Sequence, residues 1–344
     1  LNVKQFVNKA IYLISVPLVV GLFMELLVYS QTGGHLISSV LDLRNLVRDL
    51  GVTAVIAFAL SLNLGSGRFD LSLGAQRLVA TIIGGNIAVS LGFNGIGLLI
   101  VAILIGLLAG FGVGMIFSVF RIPPVILGLG MAMIYESLAF AGSDGKGLQL
   151  FGVPNIEMLV DPNFTLMVLG LGTLFVFILF TFTKFRYEMQ AMRGSQKIAK
   201  TSGINVFRHV VICYTLAGGL VAISGVFSAS FTGALAPMLG MTSNSAVIAM
   251  TFPMFLGTYL ARRTNIAVGI LSASLTIKLF GIGMVALKIS NSLNTVINML
   301  VFIGFLAFLA NEKIPALRRR ERARIKEAKA KRIELESATT IGRL

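Results

Sequence analysis

The sequence predicts an all-α polytopic membrane protein with about ten transmembrane helices. Three observations carry that expectation. Of 344 residues, 56% are hydrophobic and only 12% are charged, roughly half the charged share of a water-soluble domain. The apolar residues gather into runs that approach or exceed the ~20 residues of helix needed to cross ~30 Å of hydrocarbon. Most of these runs are apolar all round, whereas a helix on a soluble core keeps a polar face. Finally, Lys and Arg are dense in alternate loops and sparse in the others, as the positive-inside rule requires.

In chain order the runs are 11–29, 50–64, 71–91, 96–120, 123–141, 164–183, 210–231, 245–260, 266–287 and 293–310. The first follows LNVKQFVNKA and imitates a signal peptide. It is too long for one and has no small-residue cleavage site after it, so it reads as the first span. The fourth contains IGLLAGFGVG (105–114), a small-residue stripe that lets membrane helices approach closely. Pro123-Pro124 opens the fifth, where a missing N–H costs nothing. An external loop follows, GSDGKGLQLFGVPNIEMLVDPN (142–163), in which Gly-Ser-Asp-Gly is turn chemistry and the remainder is read as a short surface helix. A polar break, 184–209, separates the sixth and seventh runs. Pro237 marks a loop, and Pro253 an irregularity within the eighth run. Residues 1–310 are thus read as the transmembrane domain and 311–344 as a basic cytoplasmic tail.

Charge sets the orientation. With both termini inside, 23 Lys and Arg fall in cytoplasmic segments and 4 outside (Arg44, Arg48, Lys146 and Lys288), leaving Arg77 and Lys278 within spans. The tail alone holds 11 Lys and Arg against 5 Asp and Glu. It reads as a solvated helix near anionic membrane lipid, each basic residue close to the surface contributing ~1 kcal/mol. The formal net charge of +15 therefore reflects topology, and nucleic acid is not an expected partner.

Few residues offer chemistry. The single cysteine, Cys213, lies in an apolar run and reads as a small hydrophobe; no disulfide is possible within the chain. His35 and His209 are far apart, and neither a metal site nor a catalytic residue is expected. GSGRFD (65–70) lacks the Lys-Ser/Thr of a phosphate loop. An ATP-driven process would need its ATPase, with ATP-Mg, on another chain, and no cofactor is expected on this one.

Four ionisable residues fall within spans: Glu25, Arg77, Glu136 and Lys278. Such groups are expensive in lipid and by default meet a partner or a pore. Glu136 and Lys278 each lie about a dozen residues, or ~20 Å, from the cytoplasmic start of their helices. They are expected to pair or to line the translocation path together; the alternative is that each meets headgroups or backbone. Arg77 lies nearer the inside and can snorkel. No chain of intramembrane carboxylates appears, which weighs against a proton-coupled carrier, although sodium coupling through backbone carbonyls stays open.

Three stretches carry a resemblance. GSGRFDLSLGA (65–75) resembles the signature SGGIDLSVGS, through Asp70, Ser72 and Gly74. FRIPPVILGLGMAMIYESLA (120–139) resembles RIPPFIATLGMMSILRGLA, and AKTSGINVFRHVVICYTLAGGLVAISG (199–225) resembles AARLSGINVRRVKLLVYVLSGLLAALAG. In this order and spacing they resemble the permease subunit of bacterial ABC importers of the ribose/galactose/xylose class, over roughly 52–315. The resemblance implies a fold similar to the cobalamin-importer permeases in the bacterial plasma membrane. It also implies a second permease subunit, cytoplasmic ABC ATPase subunits and an extracytoplasmic substrate-binding protein that delivers a sugar. It makes 184–209 the segment that docks into the ATPase, through Ala199, Ser202, Gly203, Ile204, Asn205 and Val206. Independently, the residues predict a short helix there, started after Gly194-Ser195 and stopped by Gly203. The chain departs from the pattern after Ile248–Met250, where glycines of VVIGGTSLSGGRGS give way to TFPMFLGTYLARRTNIAVG, and at Glu136, where the family often carries Arg. The implied solute is a sugar, with a nucleoside or another small polar solute as the alternative. An ion-coupled secondary transporter is the reading from a different class.

Overall fold

The computed structural model describes residues 3–312; the tail expected at 311–344 lies beyond it except for Asn311 and Glu312. The chain divides into two units, 1–288 and 289–344. In the first, α1 (Val3–Thr32), α2 (Val40–Gly65), α3 (Leu73–Ser90), α4 (Gly95–Phe120) and α5 (Pro124–Ala141) are joined by short turns. A strand β1 (Leu148–Gln149) and a 3-10 turn (Glu157–Val160) lead to α6 (Pro162–Phe182). Two short helices, α7 (Phe185–Gly194) and α8 (Gln196–Thr201), precede α9 (Val206–Thr232) and β2 (Ala234–Leu235). Then come α10 (Asn244–Ala249), α11 (Thr251–Leu260) and α12 (Ile266–Ala286). In the second unit, α13 (Asn291–Asn311) is a single apolar helix started by the Ser290 side chain, which accepts the Leu293 N–H.

All ten apolar runs form helix. Among the described residues eight helices are long and apolar enough to cross a membrane. The other two runs differ for physical reasons. Gln76, Arg77 and Asn86 lower the hydropathy of α3. The eighth run breaks at Met250 into α10 and α11, with Pro253 in the first turn of the latter. The second run starts ten residues earlier than its apolar part, at Val40. There Ser39 and Asp42 form a reciprocal capping box that carries the helix through polar sequence. Arg48, counted above as an outside loop residue, is therefore helical. Its Nε and Nη2 donate to the Val160 carbonyl at 3.0 and 2.6 Å. The all-α expectation gains one exception: β1 and β2 pair antiparallel, Leu148 opposite Leu235 and Gln149 opposite Ala234, so the loop 142–163 is pinned by a two-residue ladder and a 3-10 turn.

The centre of the unit is α9. One apolar cluster packs α3, α4 and α5 on it, and another packs α2, α6 and α12. The glycine stripe of α4 explains how closely α9 approaches. A Cβ at Gly110 would strike the Tyr214 carbonyl, and one at Gly218 the Gly106 carbonyl. Without a hydrophobic drive between helices in lipid, such backbone approach maximises dispersion contact. Tyr135 Oη of α5 donates to the Ala109 carbonyl of α4 at 2.7 Å, satisfying a buried hydroxyl. Cys213 is fully buried in this packing.

Candidate functional site

The polar break between α6 and α9 folds as its residues dictate. One face of α7 buries Phe185, Met189 and Met192. Phe185 stacks on His209 of α9 with ring centroids 4.6 Å apart, and His209 Nδ1 lies 2.9 Å from Glu188 Oε2. Ser195 then caps α8, its hydroxyl accepting the Ile198 N–H at 3.4 Å. Ser-Gly-Ile-Asn ends one helix and begins the next. Gly203 takes φ +83°, its N–H donates to the Lys200 carbonyl, and the Ile204 N–H donates to the Ala199 carbonyl, both at 3.1 Å. Those two bonds and the left-handed residue make a Schellman closure. Asn205 at once caps α9, its Oδ1 accepting the Arg208 N–H at 3.0 Å. The expected short helix is therefore present, rigidly capped at both ends. Ala199 is buried beneath it, Ile204 and Val206 are half-buried, and Ser202, Gly203 and Asn205 face outward. Ile198, on the exposed side, is 67% accessible.

The turn between α2 and α3 holds a second constellation. Asp70 is buried and receives four hydrogen bonds. Ser72 donates its N–H and hydroxyl to Oδ1 at 2.8 and 2.6 Å; Asn63 and Gln76 donate their amides to Oδ2 at 3.2 Å each. Burial raises the Asp70 carboxyl above its ordinary range, and the bonds from Ser72 and Gln76 oppose that only in part. Gly74, one turn on, lies against the Ser243 carbonyl so closely that a Cβ would collide with it. Asp70 and Ser72 thus close the α2–α3 corner, and Gly74 sets that corner against the start of α10. Asn63 and Gln76 belong to this site and were not singled out in the sequence; each is a polar amide inside or beside an apolar run, which was the available signal.

The expected ion pair between Glu136 and Lys278 is not formed. Glu136, fully buried on α5, accepts the backbone N–H groups of Met241 at 2.7 Å and Ser243 at 3.0 Å. Its carboxylate closes the turn into α10, where free amides at a helix start favour negative charge. Lys278 on α12 reaches Asp49 of α2 instead, Nζ to Oδ2 3.4 Å. Equal depth along two helices does not bring their side chains to one azimuth. Glu25 also turns to backbone and loop: its oxygens lie 2.7 Å from His35 Nδ1 and accept the Leu36 N–H at 2.7 Å. Arg77 is half-buried beside Gly225 of α9, and among the described residues no carboxylate pairs with it. A helical net reveals the depth of these groups; the partners of Glu25, Glu136 and Lys278 lie on another helix, in a loop or in the main chain.

Comparison with known proteins follows this geometry. The family model described as "Branched-chain amino acid transport system / permease component" matches residues 42–306. The chain is 26% identical to the ribose import permease protein RbsC of Bacillus subtilis (strain 168), over 82% of this chain and 88% of that one. It is 23% identical to the fructose import permease protein FrcC of Rhizobium meliloti, over 78% of each. To the galactofuranose transporter permease protein YtfT of Escherichia coli (strain K12) it is 26% identical, over 62% of this chain and 66% of that one.

Proposed function

Because this chain belongs to the family of permease components of branched-chain amino acid transport systems, we propose that it is the membrane-spanning permease subunit of an ATP-driven importer in the bacterial plasma membrane, carrying a sugar delivered by an extracytoplasmic binding protein. The sugar is supported by the ribose, fructose and galactofuranose permeases among its relatives. ATP and Mg belong to a separate ATPase subunit, and a second permease chain, identical or related, completes the path.

The observation that carries the reading is the α7–α8–α9 segment. It presents an outward-facing helix, anchored at Ala199 and clamped between two capped ends. A rigid protrusion transmits displacement, whereas a solvated loop absorbs it. From Asn205 the path continues directly into α9, which packs on both clusters. A movement imposed on Ser202–Val206 thus reaches α4 through the glycine contact and α2 through its packing on the other side of α9. In this mechanism the buried corner of Asp70, Ser72 and Gly74 and the Glu136 clamp keep α3, α5 and α10 moving as one body. Both termini lie in the cytoplasm on this reading. Its support is the Lys and Arg bias of the loops; Arg68, Arg121, Lys197 and Lys200, which line one cavity, support a common side for their three segments.

The test is reconstitution in proteoliposomes with the ATPase and binding protein of the same transport system. Uptake of sugar that requires ATP and all three components is expected. Uptake by this chain alone, driven by an ion gradient without ATP, would falsify the reading. A binding protein that selects nucleosides in a ligand screen would replace the sugar and leave the importer standing.

A further inference from the structure

We propose that the cavity between the α2–α3 turn, the α4–α5 hinge and the α8–α9 turn binds a phosphate group, either on a soluble phosphate ester or on an anionic lipid headgroup. The cavity has a volume of about 970 Å3. Arg68, Arg121, Lys197 and Lys200 line it, and no Asp or Glu does. Among the described residues none of these four cations has a carboxylate partner.

Arg68 makes this more than a basic surface. Its side chain is only 1% exposed, and a buried charge ordinarily comes with an ion partner. Here Nη1 donates to the Ser66 hydroxyl at 2.9 Å, and Nη2 has only the Met192 sulfur at 3.6 Å. Its Nε–H has no acceptor at all. The buried hydroxyl of Ser118, a residue that also lines the cavity, has no partner either. Two residues with an unsatisfied buried donor, Arg68 (whose guanidinium carbon lies 5.5 Å from the Phe117 ring centroid) and Ser118, thus line one space with three further cations from separate segments. A guanidinium fork with hydroxyl and ammonium donors is the set that a tetrahedral, multiply charged oxyanion satisfies.

The volume exceeds what bare phosphate fills, and Phe117, Ile122 and Val210 supply an apolar wall for an organic remainder. The position gives the site a consequence. Arg121 is the left-handed residue, φ 54°, at which α4 ends before Pro123-Pro124. Lys197 and Lys200 belong to α8. A bound phosphate would tie the hinge to the protruding segment and restrain its movement.

The experiment uses the full chain in phosphatidylcholine nanodiscs. Calorimetric titration with glycerol phosphate, with glycerol as the uncharged control, forms one arm. Nanodiscs containing phosphatidylglycerol, read by thermal stability and by displacement with glycerol phosphate, form the other. Saturable binding is expected in at least one arm, weakened about tenfold or more by Lys197→Gln/Lys200→Gln, whose side chains are exposed and whose loss leaves the fold intact. Lys184→Gln/Arg186→Gln, in the same basic loop but outside the cavity, should bind as the parent does. Binding of glycerol phosphate assigns a soluble ester, and a response to phosphatidylglycerol alone assigns a headgroup; both support the site. No saturable binding in either arm overturns it, as does equal weakening in the two lysine/arginine pairs.

Discussion

Glu136 on α5 accepts the backbone N–H of Ser243 at 3.0 Å, across 107 positions of sequence. A carboxylate in the apolar interior is thereby spent on main-chain amides, with Met241 as the second donor. Glu136→Gln replaces one acceptor oxygen with a donor and strands one of these N–H groups. An unsatisfied buried donor costs ~1–3 kcal/mol. The variant should insert normally and unfold at lower temperature in detergent, whereas Glu136→Ala, which strands both amides, should be worse. Equal thermal stability of all three proteins would contradict the assignment.

Lys278 and Asp49 make the interhelical pair, so charge reversal should rescue only there. Lys278→Asp and Asp49→Lys are each expected to lower the amount of folded protein, and the double variant to restore it. The interaction is modest, because the side chains are 23% and 57% exposed on this chain and exposed pairs contribute only ~0–1 kcal/mol. Glu136→Lys/Lys278→Glu should show no rescue. Fluorescence size-exclusion profiles of these four variants, with Glu136→Lys and Lys278→Glu alone as the references for the second pair, distinguish the two pairings.

Gly203 should separate insertion from coupling. Space around it is open, so only its φ of +83° restricts what it can become. Asn tolerates the left-handed region, whereas a β-branched residue there is an outlier. Gly203→Asn is expected to keep sugar-stimulated ATP hydrolysis in the reconstituted importer, and Gly203→Val to insert at parental levels while losing most of it. Parental stimulation in the Val variant would count against a coupling role for this turn.

Asp70 should impose a pH dependence on stability. Burial raises its carboxyl above the ordinary value of 3.8, so the folded chain keeps this proton to higher pH than the unfolded chain does. The resulting stabilisation is complete below the unfolded value and is lost as pH rises through the folded one. Over a window that opens at the ordinary carboxylate value and runs upward, the parent should lose thermal stability more steeply than Asp70→Asn, which has no proton to release. Parallel curves would show that Asp70 does not titrate in this window.

Some of this was legible in the chain alone. Composition and run length determined the membrane class, and all ten apolar runs became helix. These are local properties: ~20 apolar residues have no stable alternative in hydrocarbon. The caps of the segment between α7 and α9 were equally readable, because Ser195, Gly203 and Asn205 act within four residues of themselves. Even the start of α2 had a local signal in Ser39 and Asp42, though hydropathy alone passed over it.

Tertiary structure decided the partners. Depth along a helix follows from counting residues, and on that basis Glu136 and Lys278 are expected to meet. Which way each points follows from how α3, α5 and α12 pack, and that depends on glycine contacts such as those between α4 and α9. Glu136 turned to main-chain amides, which every residue carries and no sequence marks. Asp70 found Asn63 and Gln76, and the cavity around Arg68 drew its cations from segments far apart in the chain. The sequence by itself determined that these charges exist and at what height they stand; only the close packing of the helices determined what each one meets, because azimuth is a property of neighbours.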